Sequence, residues 1–352
     1  MMNNMFTFNY NPSRYKKGYI GLENLGNTCY LNSVIQCLRH NIHLTDYFLQ
    51  NKFREDLNEN IIQTTLCVEW YSILNSLWIN DENKTLVPKR FLRAFKQTCM
   101  KLGKYSFAGY SQNDSEECLN ILFDILHEGL KSPVKISITG TPQNINDRLQ
   151  LESYKIFAEF AKADGISPIT KYYGGQFVSQ ISNSFNDKLS NNFEPFTYVN
   201  LDIPDKDNIN LYDCFNYFFR KDELNEYKMD EYPEETKYFK TMNFINLPKH
   251  LILVLKRFSN DGSKNNVNVS YPLLLDVEKY VVGYKKQTRY ELYGVVCHIG
   301  HLEGGHYIAL VKNIIDSSCK WKIYNDEHVQ DCDEDNINND KAYILFYRIL
   351  ED

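Results

Sequence analysis

The sequence contains no Cys-x-x-Cys pair and no apolar run long enough to span a lipid bilayer. Its nine cysteines are scattered and odd in number, which excludes a disulfide framework and a zinc knuckle with paired ligands. The segment from Met1 to Tyr15 is polar and lacks the apolar core of a signal peptide. These absences predict an intracellular protein, cytoplasmic or nuclear, that is not bound to a membrane.

No linker and no internal repeat interrupts the 352 residues. With 43% hydrophobic residues, 26 Tyr and 21 Phe, the chain can bury a large aromatic core, as soluble globular proteins do. A formal net charge of -6 argues weakly against a nucleic-acid partner and is compatible both with a basic partner and with a simple solubility feature. We therefore expect a monomer with one elaborated domain, 18–352, after a flexible lead-in at 1–17.

A loop followed by an amphipathic helix lies near the start of the chain. Gly21 and Gly26 permit unusual backbone angles, and Asn27 and Thr28 are residue types that cap the N-terminus of a helix. This pattern places Cys29 in the first turn of the helix. One buried helix face is predicted by apolar residues at three- and four-residue spacing, namely Leu31, Val34, Ile35 and Leu38.

Cys29 is the first candidate for chemistry. The unpaired N–H groups and the positive end of the helix dipole favour a thiolate, which predicts a pKa below the usual ~8.5 and a nucleophilic sulfur. Taken alone, a free cysteine is more often a small buried hydrophobic residue. The nucleophilic interpretation therefore requires a histidine base and a residue that orients it.

A helical period dominates the first part of the chain, from Gly21 to about Leu130. Within it, Ser111 and Asp114 fit a capping box that opens a helix ending near Gly129. Helix faces are predicted from two apolar series, one at Leu66, Trp70, Ile73, Leu74 and Leu77 and one at Phe91, Leu92 and Phe95.

From 131 to 168 we predict mostly loop, with one short helix at 154–163. After Gly174 the pattern alternates and predicts strands, interrupted by a helix at 211–219. Helices first and a largely antiparallel sheet second make the predicted class α+β. The later strands are predicted at 238–247, 250–255, 290–299, 306–311, 321–324 and 342–349.

The candidate base lies in a glycine-containing segment that carries His298, His301 and His306 between two predicted strands. For the other five histidines, surface or capped core positions are the better interpretation. His306 is the strongest candidate, because it begins an apolar strand whereas His301 lies at the loop tip. The next predicted strand ends with Asn325 and Asp326, and either can accept the imidazole N–H. Alternation of side chains along a strand leaves the choice between these two open.

Cysteine, then histidine, then Asn or Asp, with the nucleophile on a helical lobe and the others on a sheet, is the arrangement of papain-like cysteine peptidases. Longer motifs are more specific, and by them the chain resembles the ubiquitin-specific protease family. The Cys box at 21–33 and the His box, which runs from Tyr290 through Tyr307 to Asn325 and Asp326, match almost residue for residue. Further motifs follow the family's order at 112–117, 193–196 and 247–258, so that the resemblance covers about 17–350.

This resemblance implies a helical thumb at about 18–168, β fingers at about 169–248 and an antiparallel β palm at about 249–352, to which earlier segments contribute. It also implies thiol-dependent hydrolysis of the (iso)peptide bond after the C-terminal Gly-Gly of ubiquitin. Ubiquitin, or ubiquitin chains on protein substrates, are then the partners. A peptidase for another ubiquitin-like modifier and a catalytically silent ubiquitin-binding scaffold are the alternatives; the intact motif residues argue against the second.

By motif position, the resemblance implies that Cys29 is the nucleophile, His306 the general base and Asn325 the third member of the triad. Asn24 is implied as an oxyanion-hole donor and Asp326 as a helper. For the acidic residues of the 112–117 motif a purely structural role competes, because acidic residues in a first turn stabilise a helix. The residues implied to bind the ubiquitin tail or line its channel are Gln112, Asp114, Glu117, His298, Gly304, Gly305 and Tyr307.

Many members of that family hold a structural zinc ion in the fingers with two Cys-x-x-Cys pairs. Here the first pair falls on Asn183 and Asn186 and the second near Met229 and Tyr232, so no thiolate ligand remains. We expect fingers that keep their strands without zinc or any other cofactor. The packing is expected to come from aromatic side chains such as Phe185, Phe193, Tyr227 and Tyr232.

Overall fold

The computed structural model describes residues 15–79, 84–259, 262–301, 304–313 and 320–350. Its helices are α1 (Cys29–Leu38), α2 (Ile42–Leu49), α3 (Phe53–Asp56), α4 (Gln63–Trp78), α5 (Lys89–Lys101), α6 (Tyr105–Ala108), α7 (Ser115–Leu130), α8 (Ile145–Asp164), α9 (Pro168–Tyr173) and α10 (Leu211–Phe218). Its strands are β1 (Gly21–Leu22), β2 (Thr85–Leu86), β3 (Gly175–Asn183), β4 (Lys188–Phe196), β5 (Val199–Leu201), β6 (Asp222–Glu223), β7 (Tyr238–Asn246), β8 (His250–Leu255), β9 (Leu274–Asp276), β10 (Arg289–His301), β11 (Gly304–Lys312), β12 (Trp321–Asn325), β13 (His328–Cys332) and β14 (Ala342–Ile349).

Two antiparallel sheets form most of the second half of the described chain. The larger has eight strands in the order β13-β12-β11-β10-β14-β8-β5, with β9 paired to β10, and only β5 and β8 run parallel. The smaller has the order β4-β3-β7-β6. All residues of β8 are buried, as its continuous apolar run predicts. Helices α1 to α9 before residue 174 and these two sheets after it confirm the predicted α+β class.

Helix α1 lies between the other helices and the large sheet. It packs against α7, β10 and β11, and all of its residues are buried. The predicted apolar face of α1 is confirmed, because Leu31, Val34, Ile35 and Leu38 are at most 2% exposed. Since α1 begins at Cys29, this packing places the thiol beside the large sheet.

Two hydrophobic cores cover the two faces of the large sheet. One core joins α1, α4, α5 and α7 to the sheet, and the other lies beneath α10. The apolar faces predicted for α4 and α5 are buried in the first core. Cys29 and Tyr307 belong to the first core.

Two predictions about the helices were wrong. Helix α7 has Asp114 and not Ser111 as its N-cap, because the Asp114 carboxylate accepts hydrogen bonds from the N–H groups of Glu116 and Glu117. The segment predicted as a short helix at 154–163 is the end of the 20-residue helix α8. Its period was hard to detect, because only Gln150, Ser153 and Ala161 are buried.

The predicted lead-in at 1–17 falls on residues outside the described part, except for its last three. These three are packed against the domain: the buried Tyr15 hydroxyl donates to Asp46, and the Lys16 N–H donates to the carbonyl of Trp78 at 2.8 Å. The domain therefore begins by Tyr15, before the predicted boundary.

The smaller sheet, which occupies the segment predicted as fingers, differs from expectation at Phe185, because this side chain is 60% exposed. The turn beside it is held instead by buried Asn183, whose Oδ1 accepts hydrogen bonds from the N–H groups of Phe185 at 3.0 Å and Asp187 at 2.9 Å. Phe193 is buried, and Tyr227 and Tyr232 both lie edge-on to Tyr238.

Candidate active site

The strand that leads into the Cys29 loop is held from two sides. On one side β1 pairs with β2, and the Glu23 N–H donates to the Leu86 carbonyl at 2.9 Å. On the other side Gly21 approaches the turn after β12, where an added Cβ would lie 2.3 Å from the Glu327 carbonyl oxygen. Gly21 is therefore required for close approach rather than for unusual backbone angles.

The loop itself is organised around the side chain of Asn24. Its Oδ1 accepts hydrogen bonds from the N–H groups of Gly26 and Thr28, both at 3.1 Å. The Thr28 hydroxyl accepts from the Leu25 N–H at 3.0 Å and makes no cap bond to α1. Gly26 and Asn27 have φ angles of 98° and 54°, so the predicted turn is present.

Cys29 is buried, with 4% of its surface exposed. Burial raises the pKa of its thiol, and a backbone hydrogen bond from Tyr307 opposes the rise only in part. The expectation of a lowered pKa is therefore wrong, because desolvation of the thiol outweighs the hydrogen bonds that lower its pKa. Within the described residues, no hydrogen bond joins the thiol to His306.

His306 lies on β11 and forms a hydrogen bond with Asn325, the last residue of β12. The distance from Nε2 to Asn325 Oδ1 is 2.7 Å, whereas the nearest oxygen of Asp326 lies 4.0 Å from the same nitrogen. Because an amide oxygen only accepts, this bond places the proton on Nε2 and leaves Nδ1 able to accept one. Of the two candidates left open by the sequence, Asn325 has the geometry of the orienting residue.

Asp326 instead ties the end of β12 to the Cys29 loop. Its two oxygens accept from the side-chain amides of Asn24 at 2.8 Å and Asn32 at 2.7 Å. Its backbone carbonyl accepts from the Leu22 N–H at 2.8 Å, and its φ is 48°. Asn32 was missed in the sequence, although a buried amide three residues after Cys29 interrupts an apolar series.

Gln112 and Asp114 connect the helical lobe to β11 at the entrance of α7. The side-chain carbonyl of Gln112 accepts from the Gly305 N–H at 2.9 Å. The Asp114 carboxylate accepts from the hydroxyls of Tyr343 at 3.0 Å and Tyr307 at 3.2 Å in addition to its two cap bonds.

Four donors therefore use the acceptor positions of Asp114 within the protein. Burial raises the pKa of this carboxyl, although the hydrogen bonds oppose that shift. Glu117, by contrast, is exposed and free to meet a ligand. Tyr343, on β14, is a contact of Asp114 that no sequence motif indicated.

His298 lies beneath the glycines of β11 and does not reach the surface. It is 2% exposed, and its ring packs against Tyr307 and Phe258 with centroid distances of 4.6 and 5.2 Å. An added Cβ on Gly305 would lie 2.0 Å from His298 Nε2, whereas one on Gly304 would meet nothing within 4 Å. His298 therefore supports the glycine segment from below, contrary to the expectation that it lines a channel.

One group of potential metal ligands exists among the described residues, at His127, Glu128 and Asp164. The ammonium of Lys131 lies 2.7 Å from both Glu128 and Asp164, and the second ring nitrogen of His127 bonds to Ser167. This group is a salt-bridge cluster in which both carboxylates already pair with the ammonium of Lys131.

A family model supplies the comparison that decides the identity of the fold and site. The model described as "Ubiquitin carboxyl-terminal hydrolase" matches residues 20–347, which include every candidate site residue. The chain belongs to the ubiquitin carboxyl-terminal hydrolase family.

Curated relatives in this hydrolase family match nearly the whole chain. Ubiquitin carboxyl-terminal hydrolase 21 of Homo sapiens is 30% identical over 367 residues, which cover 95% of this chain and 62% of that protein. Ubiquitin carboxyl-terminal hydrolase 4 of Saccharomyces cerevisiae is 30% identical over 93% of this chain and 39% of its own length. The chain thus spans less than two thirds of these relatives.

Solved structures with the hydrolase fold include the SAGA DUB module Ubp8/Sgf11/Sus1/Sgf73 bound to ubiquitin aldehyde. That likeness has a TM-score of 0.75 and 24% identity over 98% of this chain and 72% of the other. The same module bound to monoubiquitin gives 0.75 and 24% over 99% and 73%. These likenesses confirm the predicted fold. Of the helices that the structure describes, none has the length and apolarity to cross a membrane.

Proposed function

We propose that this chain is a thiol-dependent deubiquitinase, which hydrolyses the (iso)peptide bond after the C-terminal Gly-Gly of ubiquitin through an acyl-enzyme on Cys29. The observation that carries the proposal is the 2.7 Å hydrogen bond between His306 and Asn325 beside the helix that begins with Cys29. Membership of the hydrolase family and the printed names of the relatives support the same activity.

The first step is attack by the Cys29 sulfur on the carbonyl of the last glycine. Because burial raises the thiol pKa, the proton must be taken by a base at the moment of attack, and His306 Nδ1 is that base. The protonated ring is then held by Asn325 and gives its proton to the leaving lysine amine as the carbon–nitrogen bond breaks. Thiol and ring must also come together for this transfer, since no hydrogen bond joins them in the structure.

The second step returns the enzyme to its starting state. His306 removes a proton from water, the hydroxide oxygen attacks the thioester carbonyl, and the carbon–sulfur bond breaks to release the carboxylate of ubiquitin and the Cys29 thiol. In both steps Asn24 Nδ2 is the proposed donor to the oxyanion, and removal of one such donor costs about 3 kcal/mol in comparable sites.

Tail recognition is proposed for Gln112, Glu117 and the glycines at 304 and 305. Gln112 already bonds to the Gly305 N–H, so it can close over a thin Gly-Gly segment from the helical side. Glu117 offers an exposed carboxylate to the basic tail of ubiquitin. Asp114 acts mainly through its hydrogen bonds to Tyr307 and Tyr343, which fix the opposite wall.

Ubiquitin is the proposed partner, since the SAGA module that shares the fold is bound to monoubiquitin in one structure and to ubiquitin aldehyde in another. We further propose an intracellular monomer. Sedimentation of the purified protein would test the monomer, and imaging of the tagged protein in cells would test the compartment.

Fingers without zinc are also proposed. The residues present do not fit the ion, because Asn183 uses its side chain to hold the β3–β4 turn and the other three positions are Asn186, Met229 and Tyr232. Elemental analysis of the purified protein is expected to find no stoichiometric zinc, and one zinc per chain would contradict this proposal.

Probes of ubiquitin and of ubiquitin-like modifiers that carry a C-terminal electrophile test the activity. We expect ubiquitin to label the protein at Cys29 and labelling to vanish in Cys29→Ala. Failure of every probe would favour a silent scaffold, and preference for another modifier would favour a peptidase of that modifier.

A further inference from the structure

One stretch of the chain has a charge opposite to the rest. Between 84 and 113 there are seven Lys or Arg residues and no Asp or Glu. Without these seven, 32 basic residues remain against 45 acidic ones, a net charge of -13. The basic residues are Lys84, Lys89, Arg90, Arg93, Lys96, Lys101 and Lys104.

Helix α5 presents most of this charge on its outer side. Lys89, Arg93 and Lys101 are exposed and form no ion pair with any described residue, whereas Arg90 pairs with Glu69 at 2.6 Å. The opposite side of α5 is buried in the core, so the charged side is a solvent face of a fixed helix. We call this surface, with the exposed residues that follow it up to Tyr110, the basic face.

Aromatic and apolar side chains lie among the charges of the basic face. Tyr105 and Tyr110 are 69% and 74% exposed, and Met100 is 53% exposed. The ammonium of Lys96 lies 3.6 Å from the centre of the Tyr110 ring. Exposed tyrosine and methionine side chains are enriched in surfaces that bind another macromolecule, and the Lys96–Tyr110 contact is a cation–π interaction.

The basic face is connected to the Cys29 loop on both sides along the chain. Just before the basic face, β2 pairs directly with β1, the strand that leads into the loop. At its end, the Asn27 side-chain amide donates to the Tyr110 carbonyl at 2.9 Å, and the Tyr110 ring lies 3.6 Å from the position of a Cβ on Gly26. A molecule attached at the scissile bond therefore lies within reach of this surface.

We propose that the basic face binds an acidic segment of the protein from which ubiquitin is removed, next to the modified lysine. This inference rests on the proposed function, because it concerns the leaving side of the same reaction. Unpaired positive charges attract carboxylates, and the charge pattern gives selectivity among substrates more than it gives affinity. The enzyme is then a deubiquitinase with a preference for acidic sequence around the conjugated lysine.

Three other occupants fit the surface less well. The basic tail of ubiquitin is repelled by it. A lipid bilayer cannot receive α5, because the apolar side of the helix is already buried. A nucleic acid is a dense polyanion that the net charge of -13 on the remaining chain repels, whereas a short acidic peptide touches only the basic face.

The test uses ubiquitin joined by an isopeptide bond to a fluorescent peptide whose lysine is flanked by several Asp and Glu residues. A second conjugate has Ser and Gly in those positions, and ubiquitin with a small fluorogenic amide reports the reaction alone. We expect kcat/KM to be roughly three- to tenfold higher for the acidic conjugate, and the difference to shrink as salt is raised. The combined variant Lys89→Glu, Arg93→Glu and Lys101→Glu should lose the preference but keep activity on the small substrate.

Two further sets of substitutions serve as controls. Lys155→Glu, Lys162→Glu and Lys286→Glu together make the same change in net charge at exposed positions outside the basic face, and this control should keep the preference. If the triple Glu variant of α5 does not fold, the corresponding Gln variant serves in its place.

An equal rate on both peptides, with the small substrate cleaved, would overturn the inference and leave the proposed function intact. If no substrate is cleaved, the proposed function fails, and the Kd of each conjugate for Cys29→Ala still decides whether the acidic peptide is preferred. Competition by a short oligonucleotide but not by the free acidic peptide would show that the basic face binds nucleic acid and would also overturn the inference.

Discussion

The side chain of Asn24 donates a hydrogen bond to Asp326 Oδ2 at 2.8 Å, across 302 residues of sequence. That oxygen is 4.0 Å from His306 Nε2, so Asp326 interacts first with Asn24 and only weakly with the imidazole. The proposed oxyanion donor and the end of β12 are thereby held in one network.

The first prediction concerns this coupling. Asn24→Ala should lower kcat about 10²-fold by removing an oxyanion donor. Asp326→Ala should lower kcat about tenfold in the wild-type background, because Asn24 loses a charge-assisted hydrogen bond. In the Asn24→Ala background the same change should have little further effect, since it acts through the missing side chain. Steady-state kinetics on ubiquitin with a fluorogenic amide measure kcat for the two single variants and the double variant. A kcat of the double variant that falls by the product of the two single effects would contradict this coupling.

The second prediction concerns the residue that orients the histidine. Asn325→Ala should lower turnover about 10²-fold, and more than Asp326→Ala, because only Asn325 bonds to His306 within 3 Å. Asn325→Asp should restore much of the rate, since a carboxylate accepts the same hydrogen bond. A larger effect of Asp326→Ala would mean that Asp326 orients the histidine when substrate is bound.

Motifs in the sequence located Cys29, His306 and Asn325, because each lies at the end of a helix or strand with a strong local pattern. The strand period alone could not choose between Asn325 and Asp326; the structure separates them because Asp326 has a φ of 48° and turns away toward Asn24. The contacts that matter there join residues hundreds of positions apart.

Local reasoning also failed where burial decides the outcome. A helix terminus predicts an acidic thiol at Cys29, but the packing of α1 against β11 removes water from the sulfur. For Gly21 the sequence predicts unusual backbone angles, whereas the structure shows that its constraint is the neighbouring turn at Glu327. The spacing of apolar residues along the sequence does not reveal tertiary contacts of this kind.

The third prediction is that acid destabilises the protein in part through His298. Burial, with a smaller contribution from Lys264, lowers the pKa of His298 to about 4. Unfolding returns that pKa to ~6.5. The contribution of His298 to the unfolding free energy is therefore fully present above pH 6.5, and roughly 3 kcal/mol of it is lost as the pH falls toward 4. His298→Phe, which keeps a ring between Phe258 and Tyr307, should show a smaller loss of unfolding free energy between pH 7 and pH 4.

Chemical denaturation across that pH range measures this difference. His328→Gln is the matched control, because it removes a histidine from an exposed position. An unchanged pH dependence in His298→Phe would show that His298 does not bind a proton on unfolding in this range.

The fourth prediction is that Cys29 of the ligand-free protein reacts slowly at neutral pH. Because burial raises its thiol pKa, the rate of alkylation by iodoacetamide should keep rising above pH ~8.5. The nearby Asp326 carboxylate also raises that pKa, so Asp326→Asn should move the profile to lower pH. Mass spectrometry of the Cys29 peptide gives the rate, and a profile centred below pH 7 would contradict the prediction.

The last prediction separates two adjacent glycines. Gly305→Ala should destabilise the protein by about 1–3 kcal/mol, because its Cβ would lie 2.0 Å from His298 Nε2 and the buried ring has no room to move. Gly304→Ala should change stability by less than about 0.5 kcal/mol, because its Cβ would point into open space. Thermal unfolding of the two variants measures the contrast in stability. In a His298→Ala background, Gly305→Ala should destabilise the protein less. The Gly305 N–H donates to Gln112, so Gly305→Ala should lower activity under conditions where the protein remains folded. Equal losses of stability in Gly304→Ala and Gly305→Ala would show that contact with His298 is not what requires glycine at 305.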